Sequence, residues 1–164
     1  MSTKPQQNGV KFQDLVIRWI QEKTDAQKYV GAVSQPFNGS NPIITKEKGV
    51  HRGSRADIVF YDPWCFRWGL FIEAKYQQTS GSAADKLAYS NMVAAEHSRL
   101  YPNVVSLVVC HGREFRPSGA AMRKMEEIKR LCNSLGVSDH LMLWEDFQVW
   151  FKNQIEGAGG FFDV

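Results

Sequence analysis

Cysteine is scarce in this chain of 164 residues, and the three present, Cys65, Cys110 and Cys132, are odd in number and widely spaced. No C-x-x-C pair occurs. That argues against a disulfide framework and points to reduced, buried thiols. A zinc site built from Cys110, His111 and Cys132 would need distant segments to converge without any familiar ligand spacing. His97 and His140 add no such spacing, and a Cys–His nucleophile has less support still. Long apolar runs are also missing: nothing approaches the roughly 20 residues of a membrane span. The opening MSTKPQQNG is polar and lacks the apolar core of a secretory leader, so the expected location is cytoplasmic. A large excess of one sign of charge is missing as well: 20 Lys and Arg against 17 Asp and Glu leave a net charge of +3. This permits a polyanionic partner without requiring one, so the position of the charges matters more than their sum. There is no repeat, low-complexity block or second-domain boundary. One domain over 10–155, with flexible tails at 1–9 and 156–164, is the expectation.

The apolar fraction of 43%, with five tryptophans, is that of a packed core. Phe12, Leu15, Val16, Trp19 and Ile20 recur at helical spacing and predict a helix over about 10–28. A short strand fits 29–36. Residues 37–55, rich in Gly, Asn, Ser and Lys, read as a long loop or ragged hairpin. ADIVFYD (56–62) and GLFIEAKY (69–76) predict strands joined by a hairpin centred near Cys65. Ser82 and Asp85 have the spacing of a capping box opening a helix that runs to about Leu100. NVVSLVVC (103–110) reads as a strand covered on both faces. A helix follows over about 118–135, with Ala121, Met125, Ile128, Leu131 and Leu135 on one stripe and Gly136 as its stop. HLMLW (140–144) is a short strand and 145–155 a last helix. The order α-β-β-β-α-β-α-β-α predicts an α/β fold, a mixed sheet flanked by helices.

Strand side chains alternate between faces, so Phe71, Glu73 and Lys75 share one side while Leu70, Ile72 and Ala74 share the other. In the expected hairpin Asp57 falls opposite Glu73. Two carboxylates and an ammonium then meet on one face. Close carboxylates are costly unless a cation joins them, and a hard divalent ion such as Mg²⁺ takes oxygen ligands and keeps several waters. Such an ion polarises a phosphoryl oxygen and lowers the pKa of bound water. A lysine beside it orients that water or offsets charge on the phosphate. Taken alone, E-x-K on a strand is usually a solvated ion pair worth under about 1 kcal/mol; the whole pattern carries more.

That pattern, RGSRADIVFYD followed by EAK, YQ and GSAADKL, resembles the PD-(D/E)XK nuclease superfamily, which includes restriction endonucleases, junction resolvases and some homing endonucleases. The resemblance covers about residues 10–110 and implies a restriction-endonuclease-like α-β-β-β-α-β core with a C-terminal α-β-α extension. It makes Asp57 and Glu73 metal-binding acids, the Ala74 carbonyl a third ligand and Lys75 the catalytic lysine. Gln77 matches a glutamine that helps to hold the scissile strand. Two positions depart from the pattern: Ala56 stands where many members have proline, and Gln13 where the first helix often carries a glutamate, with Asp14 beside it as a substitute ligand. The implied activity is a Mg²⁺-dependent DNA endonuclease, with Mn²⁺ able to replace Mg²⁺. Its substrate is duplex or branched DNA, in a bacterial or phage-infected cell. Phage or mobile-element nucleases, resolvases and restriction enzymes all fit.

Around this centre Lys46, Lys48, His51, Arg52 and Arg55 cluster ahead of Asp57. Such a run is as often a solvated loop as a phosphate-neutralising patch. Ser82 at the expected helix start offers backbone N–H groups to an anion, and Lys86 reaches toward the same phosphate. Trp64, Phe66 and Trp68 crowd the hairpin tip, where stacking on bases, a dimer contact and simple burial are all open. One active site per chain implies a homodimer or higher assembly for cutting two strands. The alternatives are a nucleic-acid-binding protein that keeps the fold without cutting, and a protein-interaction scaffold.

Overall fold

A computed structural model describes residues 4–24, 27–28, 43–45, 56–61, 69–79, 81–101 and 104–161. Its elements run α1 (Lys4–Lys23), β1 (Gln27–Lys28), β2 (Ile43–Thr45), β3 (Ile58–Tyr61), β4 (Gly69–Tyr76), α2 (Leu87–Leu100), β5 (Val104–His111), α3 (Ala120–Ser134), β6 (Leu141–Leu143) and α4 (Trp144–Phe161). The six strands form one mixed sheet in sequence order. β2, β3 and β4 pair antiparallel, whereas β4, β5 and β6 run parallel, as does β1 beside β2. The architecture is α/β and restriction-endonuclease-like in its core.

The alternation of each strand decides which helices lie on which face. Ile58 and Phe60 of β3, Leu70, Ile72 and Ala74 of β4, and Leu107 and Val109 of β5 join Phe12, Val16, Ile17 and Ile20 of α1 in one core. Trp144, Phe147 and Phe151 of α4 complete it. Val108 and Cys110 of β5 turn the other way, onto Leu87 and Ala94 of α2 and Ala121, Met125 and Ile128 of α3. β5 is therefore covered on both sides, which accounts for its unbroken apolar run. Two histidines and an asparagine knit the second layer: the Asn91 carboxamide accepts the His140 N–H at 2.7 Å, and His97 meets Ser106 Oγ at 3.3 Å.

Several boundaries differ from the sequence expectation. α1 begins at Lys4, ahead of the predicted start at 10, and α4 continues to Phe161, past the predicted end at 155. Ile43–Thr45, read as part of a long loop or ragged hairpin, adds a strand antiparallel to β3. Leu131 and Leu135 fall on the predicted stripe but are 52% and 75% exposed, and Leu135 lies one residue past the end of α3. α3 does stop at the expected glycine: Gly136 sits at φ +69°, the left-handed conformation that ends helices. The Ser82–Asp85 capping box is not formed. Residues 82–86 make consecutive turns, and α2 starts only at Leu87, with Lys86 at its N-cap and no side-chain cap. The predicted strand at 29–36 lies outside the described residues, as do Cys65 and the aromatic hairpin tip. Cys110 and Cys132 are free thiols. Among the described residues no helix is long and apolar enough to cross a membrane.

Candidate active site

β3 pairs with β4 in the register Ile58↔Ile72 and Phe60↔Leu70. One step further along the same antiparallel ladder sets Asp57 against Glu73. Odd-numbered residues of both strands share the face on which Val59, Tyr61 and Phe71 cluster, so Asp57, Glu73 and Lys75 lie on it too. The sequence expectation of one acidic pair with a neighbouring lysine corresponds to this arrangement.

Three interactions fix the cluster. Asp57 Oδ2 accepts the backbone N–H of Ala74 at 2.9 Å. Lys75 Nζ donates to Glu73 Oε1 at 2.5 Å, with the two side chains only 17% and 28% exposed. Glu73 in turn is held above the usual carboxylate range, first by burial and then by the neighbouring Asp57 charge, while Lys75 pulls it back down. The N–H and C=O of a strand residue point to the same edge. Because the Ala74 N–H reaches Asp57, its carbonyl also faces the edge that β3 leaves open ahead of Ile58.

The donor set is two carboxylates and a carbonyl, all hard oxygen ligands. A divalent cation between Asp57 and Glu73 would relieve the repulsion that raises Glu73, so the residues fit such an ion. Among the described residues no cluster of three or more His, Cys, Asp and Glu side chains occurs. Asp14 therefore does not join the pair. It sits on the exposed side of α1, and α1 covers the face of the sheet opposite Glu73 and Lys75. Gln13, beside it, is half-buried.

Gln77 is 6% exposed and its carboxamide is engaged at both ends. Oε1 accepts the Ala84 N–H at 3.0 Å and Nε2 donates to the Gly81 carbonyl at 3.3 Å. Its backbone is held as tightly, by the His111 carbonyl at 3.0 Å and the Glu114 N–H at 3.1 Å. Gln77 thus ties the end of β4 to the turns that carry Ser82 and Lys86, both exposed. Lys48, His51, Arg52 and Arg55 lie outside the described residues.

Two supporting residues escaped the sequence reading. Cys110 is the register partner of Lys75 across β4–β5, and burial pushes its thiol up to about 12. A neutral sulfur therefore walls one side of the lysine. Gly112, at φ +112°, faces the Gln77 backbone so closely that a Cβ would lie 2.3 Å from the Gln77 carbonyl oxygen. The glycine just after an apolar strand was the available signal, but nothing in the sequence says what approaches it.

A sequence-family model described as PD-(D/E)XK nuclease superfamily domain matches residues 20–154. The match reaches beyond residue 110, taking in α3, β6 and the first part of α4 as well as the motif-bearing strands, and leaves out most of α1. No curated protein and no solved structure matches the chain. The chain belongs to the PD-(D/E)XK nuclease superfamily.

Proposed function

We propose that this member of the PD-(D/E)XK nuclease superfamily is a DNA endonuclease that works with a divalent cation, Mg²⁺ or in its place Mn²⁺. The observation carrying this reading is the opposition of Asp57 and Glu73 with Lys75 bonded to Glu73. Asp57, Glu73 and the Ala74 carbonyl would hold the ion, which supplies Lewis acidity and a more acidic water. Glu73, raised by burial and by the Asp57 charge, would hold the ion as an ionised carboxylate. The Lys75 ammonium stands 2.5 Å from Glu73, where it orients the attacking water and offsets charge gathering on the phosphate. Attack of the water oxygen forms one P–O bond and breaks the ester P–O bond; the water's proton passes to solvent, and the departing oxygen takes a proton from solvent.

Gln77 acts through the turns it holds rather than by touching the scissile strand, and Lys86 and Ser82 at those turns contact the phosphate backbone. Arg52, Arg55, Lys48 and His51 extend that contact, making binding fall with salt. The test is incubation with supercoiled, branched and single-stranded DNA in Mg²⁺. Cleavage that stops in EDTA and drops about 10²-fold or more in Lys75→Ala supports the reading. Intact DNA throughout, or cleavage indifferent to Lys75→Ala, overturns it.

A further inference from the structure

β5 ends at His111, and GREFRPSG (112–119) connects it to α3 through one 3₁₀ turn, Arg113–Phe115, and a second turn behind it. This loop abuts the end of β4 that carries Glu73 and Lys75. Lys75 pairs with Cys110 and Tyr76 with His111, so the loop begins where that ladder stops. There the Glu114 N–H donates to the Gln77 carbonyl at 3.1 Å and the Arg113 N–H to Gln78 Oε1 at 3.2 Å. Gln78 follows Lys75 by three residues, a span of about 10 Å at most. The loop backbone is fixed. Phe115 is buried in the core beneath α2 and α3, and a Cβ added at Gly112 or Gly119 would run into the backbone of Gln77 or Glu114. Its one acid is occupied, because Glu114 Oε2 accepts the Ala120 N–H at the start of α3 at 3.1 Å. Its two arginines are not: Arg113 and Arg116 are exposed and, among the described residues, neither enters an ion pair.

We propose that this loop is a further nucleic-acid contact, with Arg113 and Arg116 each binding a backbone phosphate beyond the one placed at Glu73 and Lys75. Its position follows from the loop's geometry, and its ligand rests on the nuclease reading. A guanidinium stays charged at any working pH, and its planar fork matches a phosphate through two hydrogen bonds. A backbone held in advance spares the cost of ordering the loop on binding. In the sheet order β3-β4-β5, Asp57 flanks Glu73 on one side and this loop follows the strand on the other. A nucleic-acid strand crossing the two acids therefore meets the arginines next. A membrane surface fits less well, since it takes exposed apolar side chains beside the charges, and Phe115 is only 4% exposed. Arg123, on the first turn of α3, donates to the Ser118 carbonyl at 3.0 Å and adds a third positive charge to the same end of the sheet.

The test is binding of the full chain to a fluorescent DNA duplex in EDTA, over a series of salt concentrations. Each phosphate neutralised on a duplex contributes about 0.9 to the slope of log K against log salt. Arg113→Gln and Arg116→Gln should each lower that slope by about 0.9, and the double variant by about twice as much. Arg113→Lys should keep the wild-type slope, because the charge remains, which separates lost charge from a damaged loop. Arg130→Gln makes the same change of charge about 15 Å along α3 from the loop, and should also keep it. No binding by wild type, a double variant with the wild-type slope, or an equal loss in Arg130→Gln overturns the proposal. A protein that shows these slopes and never cuts DNA in Mg²⁺ upholds the loop and overturns the nuclease reading. One that cuts, with slopes untouched by either arginine, does the reverse.

Discussion

Asp57 and Ala74 are joined by a hydrogen bond from the Ala74 N–H to Asp57 Oδ2, at 2.9 Å, across the end of the β3–β4 ladder. The same carboxylate faces Glu73, so in the proposed mechanism it would have a structural and a catalytic duty at once. The two separate by substitution. Asp57→Asn keeps an acceptor for the N–H and loses the charge; Asp57→Ala loses both. Cleavage should vanish in both variants. Chemical denaturation should show Asp57→Asn within about 1 kcal/mol of wild type and Asp57→Ala lower by about 1–3 kcal/mol, the cost of an orphaned N–H.

Glu73 is raised by burial and by the Asp57 charge, so its ionised form is held against the preference of its surroundings. Replacing it with neutral glutamine should therefore raise the thermal midpoint in EDTA at neutral pH while abolishing activity, a trade common at active sites. Added Mg²⁺ should stabilise the wild type by mass action and leave Glu73→Gln unmoved. Calorimetry of both proteins, with and without the ion, checks both statements. A Glu73→Gln protein less stable than wild type in EDTA would contradict the electrostatic account.

Gly112 lies against the Gln77 backbone, where a Cβ would meet the carbonyl oxygen at 2.3 Å, at a φ that side chains avoid. Gly112→Ala should cost about 3 kcal/mol or more, since backbone cannot retreat as a side chain can. Gln77→Leu removes both bonds to the turns at 81–84 and should cost about 1–3 kcal/mol. Its effect on cleavage should appear mainly in KM, because the displaced turns carry Lys86. An unchanged KM with a collapsed kcat would instead place Gln77 at the reacting atoms.

The legible parts of this protein were those written in local period. β3, β4 and β5 alternate or run apolar as their burial requires, and Asp57 opposite Glu73 follows from strand geometry plus one hairpin. The start of α2 was misread because Ser82 and Asp85 have the right spacing for a cap. A side chain seven residues upstream, Gln77, instead bonds the Ala84 N–H and holds the segment in turns. Asp14 was named only because it adjoins Gln13, where the resemblance expects a first-helix glutamate; the sequence does not say which face of the sheet that helix covers. Cys110 beside Lys75 needed the parallel register of β4 and β5, which pairs residues 35 apart.

His111 supplies one pH-dependent part of stability. Its ring lies among Phe12, Tyr76 and Trp144, with centroids 5.3, 5.8 and 6.5 Å away. Burial lowers its pKa below the ordinary value of 6.5; Glu145, 3.7 Å from Nδ1, opposes the shift and Arg116 adds to it. The folded state therefore binds fewer protons than the unfolded chain in the window below 6.5. Stability from this residue is complete above that value and is lost as pH falls through the unfolded and then the folded pKa. His111→Asn should flatten the fall in unfolding free energy on acidification. Glu145→Gln should steepen it, because the carboxylate that favours the imidazolium is gone. Denaturant melts across the mildly acidic range resolve the two slopes. Identical slopes in both variants would remove His111 from the account.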